Sequence, residues 1–315
     1  MARRSDGSLA ALLLTQRLVD AGATPLKASE YWALLDVVND PSVLLGRDAD
    51  AIASDHGIAA GLAERVAALL DAASSFAFAL DEAAQGGMQV VATLDEEYPV
   101  LLRDRLGASA PPLLYAVGDL SLLTHDLLGV VGSRDVSQAA ADVATSASAV
   151  AVKAGWGIVS GGAKGIDRLA MGAALGDGGF AVGFLADSLA RATRDADARR
   201  AITDGRLCLC TPYKPTAGFS VANAMGRNKL IYALSHGTLV VASDHDSGGT
   251  WAGATEALKR RIAPVLVWSG EGAGPGNDPL VSKGATAVTD VSTIIDLVSS
   301  AAPDKPRPSQ MTLGV

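Results

Sequence analysis

The sequence predicts an α/β fold: a parallel sheet covered by helices on both faces, preceded by a small N-terminal helical module. Three observations carry this expectation. From residue 127 onward, short and almost wholly apolar runs alternate with helical stretches. That is the pattern of repeated βαβ units whose strands are buried on both sides. Glycines cluster where those runs give way to helices, at Gly132, Gly161-Gly162 and Gly248-Gly249. The first 85 residues lack the alternation and read as helices throughout. Together these features describe a Rossmann-like domain over residues 86–300, a helical module over 1–85 and a disordered tail over 301–315.

Taken in order, SLAALLLTQRLVDAG reads as an amphipathic helix closed by Gly22. Thr24-Pro25 then opens a second helix, with Thr24 as N-cap and Pro25 at the first helical position. Asp40-Pro41 makes another such start, and GLAERVAALLDAASSFAFALDEAA runs at helical period up to Gly86-Gly87. At Met88 the pattern changes. MQVVATL and PLLYAVG read as strands, the second entered from Pro111-Pro112, because a residue before proline is pushed out of the helical region. The βαβ series follows: LLGVVGS, a long alanine-rich helix, WGIVSGG, GIDRLAMGAALGDGG and FAVGFL. RLCLC, MGRNKLIYALSHG, TLVVAS, GTWAGATEALKRR and APVLVWSG complete it. The proline-rich, polar segment APDKPRPSQMTLGV lacks the apolar residues needed to offset ordering.

Composition excludes several classes. No apolar run reaches the roughly 18–20 residues of a membrane span. The start MARRSDGSLAALLLTQ is interrupted by Thr15, Gln16 and Arg17, and reads as a helix rather than a signal peptide; the expected location is the cytosol. Cys208 and Cys210, two apart on a strand, point the same way with no histidine cluster nearby, so neither a metal nor a disulfide framework is expected. Nor is a cofactor. The net charge of -8 argues against coating nucleic acid through the overall field, although a local groove depends only on which donors meet the phosphates.

Three turns carry the candidate chemistry, each at a strand C-terminus, the edge where open parallel sheets bind ligands. In Val130-Val131-Gly132-Ser133-Arg134, Gly132 permits a sharp turn, Ser133 can cap the next helix and Arg134 offers a forked donor. In Ser160-Gly161-Gly162-Ala163-Lys164-Gly165-Ile166-Asp167, the glycines let amides at a helix N-terminus face a phosphate, and Lys164 adds a point charge. Asp167 reads as a helix-dipole partner or as a contact to a ribose or base. This turn is neither a Walker A loop nor a strict GxGxxG. The third region joins Gly226-Arg227-Asn228-Lys229, read as preceding a helix, to Ser247-Gly248-Gly249-Thr250, a second anion cradle over which Arg227 and Lys229 can close.

Catalytic constellations are missing from the sequence: there is no GxSxG elbow, no HExxH, and His56, His125, His236 and His245 have no partners at motif spacing. The Asp244-His245-Asp246 run reads as a solvated acidic loop, and Glu256 as a helix-face carboxylate.

Read together, DEEYPVLLRD with PPLLYAVGD, VVGSRDVS, SGGAKGID, GRNKLIYALS and SGGTWAGA resemble the DNA-processing protein A (DprA/Smf) family of bacteria, over about residues 88–298. The resemblance implies a Rossmann-like core that binds single-stranded DNA, helps load the recombinase RecA during natural transformation, and commonly forms a homodimer. It implies that Ser133, Arg134, Ser160, Gly161, Lys164, Gly165, Asp167, Arg227, Asn228 and Lys229 line the DNA or phosphate groove, with Ser247 and Gly248 in the second glycine turn. The chain departs from the family pattern at Met171, where a histidine is usual, at Val241-Ala242-Ser243, where a glutamate is expected, and at Trp268-Ser269-Gly270, which replaces a proline-glycine. The winged-helix domain that many members append is not expected here.

Two other readings use the same turns. One is a nucleotide phosphoribohydrolase resembling the LOG-like group of this superfamily, although Glu256 does not fit that group's turn spacing. The other is a sensor of a nucleotide-derived ligand. A scaffold whose helical module recruits a partner needs neither.

Overall fold

The computed structural model describes residues 4–301. Five helices come first: α1 (Asp6–Thr15), α2 (Ala28–Val38), α3 (Ala49–His56), α4 (Ala60–Asp71) and α5 (Ala73–Gln85). Two expectations for this region are corrected. α1 ends at Thr15, seven residues before Gly22, and almost every residue in it is buried, so it is a core helix rather than an amphipathic one. α2 starts at Ala28, three residues after Pro25. Its start is set by Glu30, whose carboxylate accepts the Lys27 N–H at 2.7 Å and is itself gripped by Arg65 at 2.9 Å. That grip holds the Glu30 carboxyl down at about 2. Asp40 does cap a short turn at Pro41–Leu44, accepting from the Ser42 N–H.

The strands are β1 (Met88–Ala92), β2 (Leu113–Gly118), β3 (Leu127–Val131), β4 (Gly157–Ser160) and β5 (Ala181–Phe184). β6 (Leu207–Thr211), β7 (Gly237–Val240), β8 (Val265–Trp268) and β9 (Thr286–Val288) complete one sheet. Their spatial order is β1-β2-β6-β5-β4-β3-β7-β8-β9. The run from β6 to β9 is parallel. The sheet as a whole is mixed, because β2 lies antiparallel to both β6 and β1. A helix-bearing crossover is needed only between parallel neighbours, and the β1–β2 connection carries α6 (Val100–Leu106) and a short 3-10 turn at Gly107–Ser109.

The helices between strands are α7 (Gln138–Lys153), α8 (Ile166–Gly176), α9 (Leu189–Ala192), α10 (Ala196–Thr203), α11 (Val221–Leu234), α12 (Gly248–Arg260) and α13 (Asn277–Ser282), followed by α14 (Ile294–Ala301). The chain moves outward through β3, β4, β5 and β6, then returns through α11 to start again at β7 on the other side of β3. The strand order therefore reverses between β3 and β7, which is where open α/β sheets leave a crevice for ligands. The helical module closes the antiparallel edge: α1 and α5 pack on β1, and the Arg17 N–H donates to the Tyr115 hydroxyl of β2 at 2.7 Å. Apart from Ala301, which ends α14, the proline-rich tail lies outside the described residues.

Candidate functional site

A cleft of about 490 Å³ opens at the reversal between β3 and β7. Its walls are the turn after β3, with Gly132, Ser133 and Arg134; the loop after β7 running into α12, with Asp244, Ser247, Gly248, Gly249 and Thr250; and one face of α11. α11 is capped by Ser220, whose hydroxyl accepts the Asn223 N–H. Helical spacing brings Ala224, Arg227, Asn228 and Ile231 together on the cleft side.

Arg227 forms the floor. It is only 5% exposed, and its Nη1 stands 3.9 Å from Asp167 Oδ2, an ion pair without a hydrogen bond. Nε and Nη1 have no hydrogen-bond partner among the described residues, nor has the buried Tyr232 hydroxyl. Burial pushes the Asp167 carboxyl above its ordinary range. It is opposed by Arg227 and by the backbone N–H groups of Ala163, Gly161 and Gly132. Burial likewise pulls Arg227 down, and Asp167 opposes that. Isolated buried charges are costly, so each of the two requires the other.

Asp167 therefore occupies the cradle that the SGGAKGID turn was expected to offer a ligand. The same turn is closed in other ways. Ile166, first residue of α8, donates its N–H to the Ser133 carbonyl. A Cβ on Gly161 would lie 1.3 Å from Arg227 Nη1, and Gly165 has φ +91° with a Cβ position 2.4 Å from the Ser133 carbonyl oxygen. These glycines admit protein atoms.

The turn into α12 differs. The Asn228 amide donates to the Gly249 carbonyl at 2.9 Å and the Thr250 hydroxyl to the Gly132 carbonyl at 3.0 Å. These bonds fix the backbone while leaving its N–H groups unused. The first-turn amides of any helix lack intrahelical partners, and Ser247 supplies no side-chain cap. Gly248, at φ +78°, and Gly249 are exposed at the cleft. Above them the Arg134 guanidinium lies 5.5 Å from the Phe219 ring centroid. Phe219, half exposed, forms an apolar lip with Val221 and Met225.

The structure thus gathers Gly132, Ser133, Arg134, Asp167, Arg227, Asn228, Ser247, Gly248, Gly249 and Thr250 around one cleft. It separates the remainder. The Ser160 hydroxyl is buried and donates to the Val130 carbonyl. Gly161, Gly162 and Gly165 belong to the closed turn, and Lys164 is exposed beside it rather than in the cleft lining. Lys229 lies on the opposite side of α11, facing a second cavity. The expectation that GRNK precedes a helix is corrected, since it lies in the middle of α11. Four cations on one edge become two, Arg134 and Arg227, facing Asp135, Asp167 and Asp244. Sequence reasoning missed Phe219, Val221 and Met225; three apolar residues at a capped helix start were their only signal. It also left His236 without a partner, where the structure pairs it with Asp126 at 3.2 Å. Glu256 behaves as expected, pairing with Arg260 one turn on.

Among the described residues no helix is long and apolar enough to cross a membrane. A family model described as DNA recombination-mediator protein A matches residues 89–299. A Mycobacterium tuberculosis relative that carries the DprA name is 30% identical over 240 residues, covering 70% of this chain and 61% of the relative. The chain thus spans about three fifths of the length of that relative. The DNA processing protein DprA of Bacillus subtilis is 25% identical over 216 residues, 67% of this chain and 71% of its own. The X-ray structure of DprA from Streptococcus pneumoniae shares the fold at a TM-score of 0.68 and 23% identity, covering 93% of this chain and 98% of that one. DNA processing protein A from Helicobacter pylori, whose structure concerns its own single-stranded DNA binding mode, aligns at 0.56 and 21% identity over 69% of this chain and 97% of that one. A model matching residues 89–299 takes in well over half of the sequence, and the chain belongs to the DNA recombination-mediator protein A family.

Proposed function

We propose that this chain is a non-enzymatic, cytosolic single-stranded DNA-binding protein of DNA processing, recombination or uptake, acting as a homodimer with a RecA-type recombinase as partner. In this reading residues 86–300 are the DNA-binding domain and residues 1–85 a helical module. The observation that carries the proposal is the set of unused donors converging on one cleft. The first-turn amides of α12 and the Arg134 guanidinium face it, above the buried Arg227 that pairs with Asp167. Oriented N–H groups at a helix start suit phosphate oxygens, and an exposed ring such as Phe219 suits a base face. The lining sets three carboxylates, Asp135, Asp167 and Asp244, against two cations, Arg134 and Arg227, so binding relies on aimed donors and stacking more than on a positive field.

Fluorescence anisotropy with a labelled oligonucleotide at two salt concentrations tests this. Affinity falls with salt, and Arg134→Ala, at an exposed position, weakens binding and lowers the log–log salt slope by about 0.7, the share of one phosphate contact on a single strand. Absence of binding at low salt contradicts the proposal. Arg227→Ala is a poorer probe, because a buried partner of Asp167 is also a stability residue.

One observation favours a second reading, a nucleotide-ligand sensor or phosphoribohydrolase. The cleft's 490 Å³ lies within the roughly 300–1,000 Å³ of small-molecule sites. A nucleotide that raises the melting temperature by mass action supports it, and release of free base separates enzyme from sensor.

A further inference from the structure

A second cavity, about 170 Å³, lies across α11 from the cleft, where the helical module meets the sheet. Its walls mix prolines, Pro111, Pro112 and Pro212, with the polar Thr15, Ser109 and Tyr213. Two cations enter it from opposite sides: Arg17, in the segment after α1, and Lys229 of α11. No carboxylate is among the described residues lining it. Neither cationic side chain makes a hydrogen bond or ion pair with a described residue. The carboxylate that acts on Lys229 from outside, Glu256, is held by Arg260 at 3.0 Å. Lys229 is half-buried, so its charge is poorly hydrated.

The two cavities adjoin. Tyr213, in the second, feels the charges of both Arg227 in the cleft and Arg17. Its hydroxyl donates to the Asn223 carbonyl near the start of α11. It lies 2.6 Å from where a Cβ on Gly226 would stand, so a side chain there would push the tyrosine aside. α11 thus separates the cavities as a partition with a short N-terminal end, edged by the exposed Val221 and Met225.

We propose that the second cavity is a phosphate subsite, in which Arg17 and Lys229 hold a backbone phosphate of the same single strand whose neighbouring nucleotides occupy the cleft. This rests on the DNA-binding reading above. It gives the helical module a direct part in binding: one cation of the subsite comes from residue 17, outside the βαβ domain.

The test is fluorescence anisotropy on the full chain with oligonucleotides of about four and about twelve nucleotides, the range of single-strand sites on small domains. Arg17→Gln lowers affinity for the longer oligonucleotide and its log–log salt slope by about 0.7, while affinity for the shorter one holds. Lys229→Met, which keeps the half-buried stem packed, has the same effect on the longer one, and the double variant loses about 1.4 in slope. Unchanged binding of the longer oligonucleotide by the double variant overturns the proposal. So does an equal loss by Arg17→Gln on both lengths, which would place that residue's effect in the cleft or the fold. Inorganic phosphate raising the melting temperature of the wild type but not of Arg17→Gln, with long-strand binding untouched, would mean a free-anion site and also overturns it. If the wild type binds neither length, the DNA-binding reading itself fails, an outcome distinct from the others.

Discussion

Two glycine-rich turns flank the same cleft and have opposite fates. SGGAKGID, after β4, looks in sequence like the better phosphate cradle, yet its N–H groups at Gly161 and Ala163 turn to Asp167 and its glycines accommodate Arg227 and the 133–134 backbone. SGGT, at the start of α12, has its Gly249 carbonyl held by the Asn228 amide and its Thr250 hydroxyl donating to the Gly132 carbonyl, with its amides left over. A glycine-rich strand-to-helix turn can serve either packing or a ligand. What decides is whether a carboxylate of the chain already sits where the anion would go.

The largest expected effect breaks the closed turn. Asp167→Ala strands Arg227 as a buried, unpaired charge and frees the amides of two turns. Removing one partner of a buried pair costs about 3–5 kcal/mol, read as a lowered midpoint in urea unfolding. Next, Gly161→Ala drives a methyl into Arg227 Nη1 and costs about 1–3 kcal/mol as overpacking. Gly249→Ala, whose nearest neighbour would be Asn228 Nδ2 at 3.4 Å, stays within about 0.5 kcal/mol of wild type. Equal losses at the two glycines would erase the contrast between the turns. The smallest effect is a slope. Burial raises the Asp167 carboxyl above 3.8, so across the window just above 3.8 the native state keeps a proton that the unfolded chain has released. Wild-type stability therefore falls as pH rises through that window. Asp167→Asn removes this component of the slope, which unfolding at several pH values measures.

The βαβ series, the position of the turns and the family resemblance were all legible, because apolar strands and glycine junctions are local signals. The antiparallel β1–β2 edge was not, since strand direction depends on partners distant in sequence. GRNK reads in sequence as preceding a helix, although Ser220, six residues before Gly226, is a good N-cap and starts α11 well upstream. Placing it inside α11 would have separated Lys229 from Arg227 and Asn228 by helical period alone. The pairing of Asp167 with Arg227 spans 60 residues and leaves no local trace. Met171, where the family pattern has a histidine, is a core residue packed beside Gly183 of β5.

The most direct test of the central claim is hydrogen exchange of backbone amides with and without a single-stranded oligonucleotide. The amides of Gly248, Gly249 and Thr250 are expected to exchange fast in the free protein and to slow markedly on binding. Those of Gly132, Gly161 and Ala163, already turned to Asp167, are protected in both states and change little. New protection at 161–163 with none at 248–250 would contradict it.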